Sequence, residues 1–122
     1  MKPITSAKII DVKSSWAKPT KKTLWGKAKF KNCCYCEMCI PIKDVTQEHL
    51  IPRSGGGTLI AACCLECNRS KGAMLLIDWV IKLYDDLRKE GDVRKVRRIE
   101  VKIKNSIKYL LLLYPGEYDF IF

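Results

Sequence analysis

The sequence predicts a small α+β protein: a short β-hairpin held between two paired-cysteine corners, followed by two amphipathic helices, with a basic arm in front. Three observations carry this. Cys33-x-x-Cys36 and Cys64-x-x-Cys67 bracket two short apolar runs, residues 45–51 and 59–63. Those runs are separated by Pro-Arg-Ser-Gly-Gly-Gly (residues 52–57), a composition that cannot form an element interior and reads as a loop. Beyond the second corner, Leu76, Val80, Leu83 and Leu87 recur at helical spacing, and Val96, Ile99, Ile103, Ile107 and Leu110 repeat the pattern.

Each element has its own local reason. Residues 4–12 are compatible with a strand, and Ala-Lys-Pro-Thr-Lys-Lys-Thr (residues 17–23) reads as a loop or extended arm. Asn32 opens a tight cysteine corner, and Pro41 then breaks the chain. The runs at 45–51 and 59–63 have the length of antiparallel partners. Asn68 or Ser70 can cap the first helix, for which Gly91 is a natural stop; the second runs from about Asp92 to Leu113 and ends at Pro115-Gly116. The tail Tyr-Asp-Phe-Ile-Phe is suited either to an edge strand or to docking on the core. At 122 residues the chain is expected to be one domain, with an arm over 1–29, a core over 30–90 and a C-terminal helix and tail over 91–122.

Charge separates these parts. The net charge is +10, and residues 1–32 carry nine lysines against one acid, whereas residues 33–77 sum to zero. Such an excess at one end is suited to a polyanion, and Trp16, Trp25 and Phe30 lie among the lysines as candidate base-stacking groups. The plainer alternative is a solvated, solubilising arm. Arg94, Lys95, Arg97 and Arg98 form a second basic cluster, for which a solvated helix face is the simpler account. A hydrophobic content of 48% argues against wholesale disorder. No apolar run approaches the length of a bilayer span, and the N-terminal residues do not read as a secretory leader.

Seven cysteines without a leader point to a reducing compartment and a metal rather than to disulfides. Cys33, Cys36, Cys64 and Cys67 supply the four thiolates of a closed structural zinc site. Cys36-x-x-Cys39 has the same spacing, so Cys39 is an alternative to Cys33. The remaining cysteines are expected as small buried hydrophobes. Four sulfurs leave no open coordination position, so chemistry is expected elsewhere. His49, the single histidine, directly follows Glu48 and precedes the glycine loop. A histidine titrating near neutrality is a competent general base, and an adjacent carboxylate can bind a hard divalent cation. Base and cation together are the parts that phosphodiester hydrolysis requires.

The order of motifs, Cys-Cys-Tyr-Cys, then Thr-Gln-Glu-His-Leu-Ile-Pro-Arg-Ser-Gly-Gly-Gly, then Ala-Ala-Cys-Cys-Leu-Glu-Cys-Asn-Arg-Ser-Lys-Gly, resembles the zinc-stapled HNH endonucleases over about residues 30–75. The resemblance implies a ββα-metal core. It implies His49 as general base, and Glu48 and Asn68 as ligands of Mg²⁺ or another catalytic divalent cation. It implies Arg53 and Lys71 as phosphate contacts, with Arg69 a weaker candidate, and Cys33, Cys36, Cys64 and Cys67 around structural zinc. One position departs: the family's middle asparagine falls on Leu59, which cannot make that residue's hydrogen bonds.

The leading expectation is therefore a metal-dependent endonuclease acting on DNA, double-stranded by preference, with low sequence specificity. A catalytically degenerate HNH-fold zinc protein that binds DNA or another protein is the alternative. A short chain of this kind fits the cytoplasm of a bacterium or a phage-infected host. Its oligomeric state is left open, with a homodimer among the options; a monomer would nick.

Overall fold

The computed structural model describes residues 9–11, 19–52, 57–119 and 121, which form a small mixed α/β arrangement. In chain order the elements are β1 (Ile9–Asp11), α1 (Lys21–Trp25), β2 (Phe30–Asn32), β3 (Cys39–Pro41), a 3-10 turn (Ile42–Asp44), β4 (Thr46–His49), β5 (Leu59–Cys63), α2 (Leu65–Lys71), α3 (Leu76–Lys89) and α4 (Val93–Leu113). Strands β4 and β5 pair antiparallel from Thr46↔Cys63 to His49↔Ile60. Strand β1 pairs with the other edge of β5, so β5 is central and its residues Ile60 to Cys63 are all buried. Strands β2 and β3 form a separate hairpin around the first cysteine corner.

The glycine loop is required where it returns to the sheet. A Cβ on Gly57 would stand 1.7 Å from the Ile51 carbonyl oxygen, so no other residue fits there without moving the backbone. The Gly57 amide donates to the Pro52 carbonyl at 3.2 Å and closes the loop.

Residues 20–25 form a short capped helix among the lysines. Thr20 caps α1, its hydroxyl accepting from the Thr23 amide at 3.1 Å, and α1 buries Leu24 and Trp25. Of the loop or extended arm expected at 17–23, Pro19 and Thr20 are irregular, and the reading is corrected for Lys21, Lys22 and Thr23, which open α1 because Leu24 and Trp25 on the same turn are buried. Trp25 belongs to the core and is no stacking platform; Phe30 is exposed, and Trp16 lies outside the described residues. Of the strand expected at 4–12, residues 9–11 are described and form β1.

The first expected helix is two. Gly72, at φ +54°, ends α2, and its amide donates to the Asn68 carbonyl at 2.8 Å. Asn68 and Ser70 lie inside α2 and are not caps; the N-cap of α2 is Cys64, and α3 starts at Leu76 without a side-chain cap. Helix α4 begins where expected, with the Asp92 carboxylate accepting from the Arg94 and Lys95 amides. Helices α3 and α4 pack on each other as a pair. No helix among the described residues is long and apolar enough to cross a membrane. In the tail, Tyr114 and Tyr118 pack against the core in a turn rather than a strand.

Tyr35 is the centre of the core. It is fully buried, with Trp79 of α3 edge-on at 5.8 Å and Tyr109 of α4 at 6.0 Å between ring centroids. These edge-to-face aromatic contacts fix the first cysteine corner against both long helices.

Candidate functional site

The two cysteine corners meet. The Sγ atoms of Cys33, Cys36, Cys64 and Cys67 all lie within 4.8 Å of one another, and no other such group of ligand-bearing side chains occurs among the described residues. Four sulfurs at about 2.3 Å from a tetrahedral ion stand about 3.8 Å apart, and Cys36 and Cys64 are separated by 3.8 Å. The donor set therefore fits a metal such as zinc. The arrangement also settles the register of the first pair: Cys39 sits exposed on β3 opposite Asn32, away from the cluster. Its exposure corrects the expectation that the leftover cysteines are all buried; Cys34 and Cys63 are, with Cys63 Sγ 3.9 Å from Cys33 Sγ.

Sulfurs this close cannot ionise independently. Hydrogen bonds from Cys34, Cys36, Cys63 and Cys67 hold the Cys33 thiol far below its usual range. Bonding to that thiolate pushes Cys36 up to about 11 and drives Cys63 and Cys67 higher still. The thiols of the cluster therefore hold their protons as one coupled set. A bound cation would release those protons.

The first corner is clamped from outside. Glu37, directly after Cys36, has φ +66°, a left-handed conformation that ordinarily favours glycine. Asn105 of α4 donates its amide to the Glu37 carboxylate at 2.9 Å and to the Tyr35 carbonyl at 2.7 Å. The Tyr109 hydroxyl donates to the Cys34 carbonyl at 2.9 Å. These residues were missed in the sequence: Asn105 lies on the face of α4 turned away from the stripe of Val96, Ile99, Ile103, Ile107 and Leu110, beside Lys102 and Lys108, so no apolar pattern marked it.

The expected catalytic residues divide across β4. Asn68 and Lys71, one turn apart on α2, both reach this strand. The Asn68 amide donates to the Thr46 hydroxyl at 2.8 Å and to the Gln47 carbonyl at 3.3 Å. The Lys71 ammonium stands 3.1 Å from the Glu48 carboxylate and 3.4 Å from the His49 carbonyl oxygen. Thr46 and Glu48 thus face α2, and strand alternation assigns Gln47 and His49 to the other side. Accordingly, the Gln47 side-chain amide donates to the Pro19 carbonyl at 3.0 Å. His49 is half-buried at the end of β4.

Glu48 and Lys71 sit differently from what the sequence suggested. Glu48 is 3% exposed and Lys71 1%, so the lysine is no outward phosphate contact. The Tyr35 hydroxyl donates to the same Glu48 oxygen at 2.6 Å. Burial pushes the Tyr35 phenol well above its usual range, so it keeps the proton it donates. Burial also raises the Glu48 carboxyl, against the opposing pull of Lys71 and Tyr35. A carboxylate buried here and already paired with Lys71 and Tyr35 does not fit a divalent cation, which needs several oxygen ligands and usually keeps water. Arg69 is exposed on α2; Arg53 lies outside the described residues. Leu59, at the departing position, opens β5, and its carbonyl accepts from the Leu50 amide at 3.1 Å.

Residues 33–78, which hold both cysteine corners, the β4–β5 hairpin and α2, match the family model of the HNH endonucleases. The resemblance read from the motifs therefore holds over this segment, and it points to nuclease-type activity. No curated protein and no solved structure shows detectable similarity to the chain.

Proposed function

We propose that this chain is an HNH-type endonuclease that hydrolyses DNA phosphodiester bonds, with His49 taking the proton from the attacking water. The observation that carries the reading is the position of the single histidine: half-buried at the end of β4, within the family-matched segment and next to the glycine loop. On this reading β4, β5 and α2 are the ββα-metal unit, and zinc at Cys33, Cys36, Cys64 and Cys67 holds it rigid. The chain is read as a single domain over 1–122, a reading supported by the bonds that α4 makes into the first corner. Exposed Arg69, together with Arg53 by resemblance, contacts phosphate. The resemblance also implies a catalytic divalent cation at Glu48 and Asn68; with Glu48 paired to Lys71, the chemistry assigned here is that of His49 and the phosphate contacts alone.

A second reading has its own support. A degenerate HNH-fold module that binds DNA without cutting it is favoured by the Glu48–Lys71 pair and by Leu59. Incubating supercoiled plasmid with the zinc-loaded protein, with and without Mg²⁺ or Mn²⁺, separates the two. The nuclease reading expects conversion to open circle, reduced about 100-fold or more in His49→Ala. Steeply salt-dependent DNA binding with no conversion would favour the module. Undiminished cleavage by the variant would remove His49 as the base.

A further inference from the structure

The junction between β4 and α2 is where the resemblance implies a divalent cation, and the groups it contains point to a different occupant. Asn68 and Lys71 project from one face of α2 and meet consecutive residues of β4. The Asn68 amide is turned toward Thr46 and Gln47, and the Lys71 ammonium lies between the Glu48 carboxylate and the His49 carbonyl. We infer that Lys71 is the resident cation of this junction: its ammonium neutralises Glu48 in the interior, and the site does not take a divalent metal ion there.

The physical case has three parts. The first is charge: Glu48 contributes one negative charge, Lys71 balances it at 3.1 Å, and a divalent ion added beside them would meet an ammonium rather than an open carboxylate. The second is coordination. Mg²⁺ requires near-octahedral oxygen ligation with several retained waters, whereas the carboxylate oxygen facing Lys71 also accepts the Tyr35 hydroxyl, in a position closed to solvent. The third is rigidity. Tyr35 is wedged between Trp79 and Tyr109, so Glu48 cannot turn outward without leaving a hydrogen bond that the aromatic core holds in place. The inference depends on the nuclease reading only for the place where an ion would be sought; the pairing is a property of the fold.

The test uses the full-length, zinc-loaded protein and Mn²⁺ as probe. Free Mn²⁺ is followed by electron paramagnetic resonance in titrations of the wild type and of Glu48→Gln. The expected result is the same uptake for both proteins up to millimolar Mn²⁺, whatever weak binding occurs elsewhere on the surface. Stoichiometric uptake by the wild type that is lost in Glu48→Gln would overturn the inference. A second measurement needs no variant: Mn²⁺ added to the wild type should leave the nuclear magnetic resonance signals of the Tyr35 ring and Lys71 side chain sharp. Selective broadening of those signals would overturn it as well. The outcome is independent of plasmid cutting. A protein that never cuts can still exclude Mn²⁺ from Glu48, and one that cuts can still be found to bind Mn²⁺ through it.

Discussion

Helix α2 is held at two places, and they are built on opposite principles. At its N-terminal end Cys64 and Cys67 join Cys33 and Cys36 in a cluster of four sulfurs placed as the ligands of a metal such as zinc, with their protons coupled. On its side, Lys71 and Asn68 fasten it to β4 with charges and hydrogen bonds that already cancel. The first place offers donors to a metal, and the second already holds its own counter-charge. Residues with metal-ligand chemistry are therefore not equivalent to a metal site; what matters is whether the protein has supplied the counter-charge itself.

This contrast can be broken at either end. The largest effect should follow zinc removal, because metal binding at such a cluster is folding free energy, on the order of 10 kcal/mol. Chelation strong enough to strip zinc should abolish the far-ultraviolet circular dichroism of the helices, whereas withdrawing Mg²⁺ alone should leave it unchanged. A metal-free chain that stays folded would remove the distinction.

Next comes Lys71→Met, which leaves Glu48 buried without a partner and should destabilise the zinc-loaded protein by about 3–5 kcal/mol in urea titration. Adding Glu48→Gln to that variant should restore part of the loss. Additive losses would mean that the two side chains do not act as a pair.

Asn105→Ala, which takes a donor from the Tyr35 carbonyl and the Glu37 carboxylate, should destabilise by about 1–3 kcal/mol. Because it loosens the first corner, zinc release to a colorimetric chelator should also be faster. An unchanged release rate would confine Asn105 to helix packing.

The subtlest effect is that of pH. Burial raises the folded-state pKa of Glu48 above its ordinary 4.5, so the folded protein binds this proton more tightly than the unfolded chain does. The Glu48 contribution to stability is therefore fully present below pH 4.5 and is lost as pH rises through the higher folded value. Measured against Glu48→Gln, in which the zinc site is the same, the wild type should gain relative stability as pH falls from neutrality toward 4.5. A relative loss over that range would mean that Lys71 and Tyr35 outweigh burial.

Much of this was legible in the residues. The limits of β5 and the partnership of 45–51 with 59–63 followed from short apolar runs around a glycine loop, and α4 from its five-residue apolar stripe and its Pro115-Gly116 stop. Spacing marked Cys36, Cys64 and Cys67 as ligands and favoured Cys33 as the fourth, but it could not separate Cys33 from Cys39; the fold does. What could not be read was which partner each polar side chain takes across the fold. Glu48 beside His49 has the look of a ligand, and only the placement of α2 shows that Lys71, 23 positions later, claims it. The buried Leu24 and Trp25 were hidden by the lysines around them. The split at Gly72 was missed because the apolar rhythm resumes at Leu76 as though no break intervened.

The left-handed backbone at Glu37 bears on how far the cysteine-stapled segment can be moved as a module. Its side-chain anchor, and the donors to the Tyr35 and Cys34 carbonyls, all come from residues 105 and 109, well past position 78 where the family match ends. A graft of 33–78 onto another scaffold would carry its four sulfurs but leave a non-glycine turn and two interior carbonyls unattended. Such a graft should take up zinc more weakly unless the host provides an equivalent of α4.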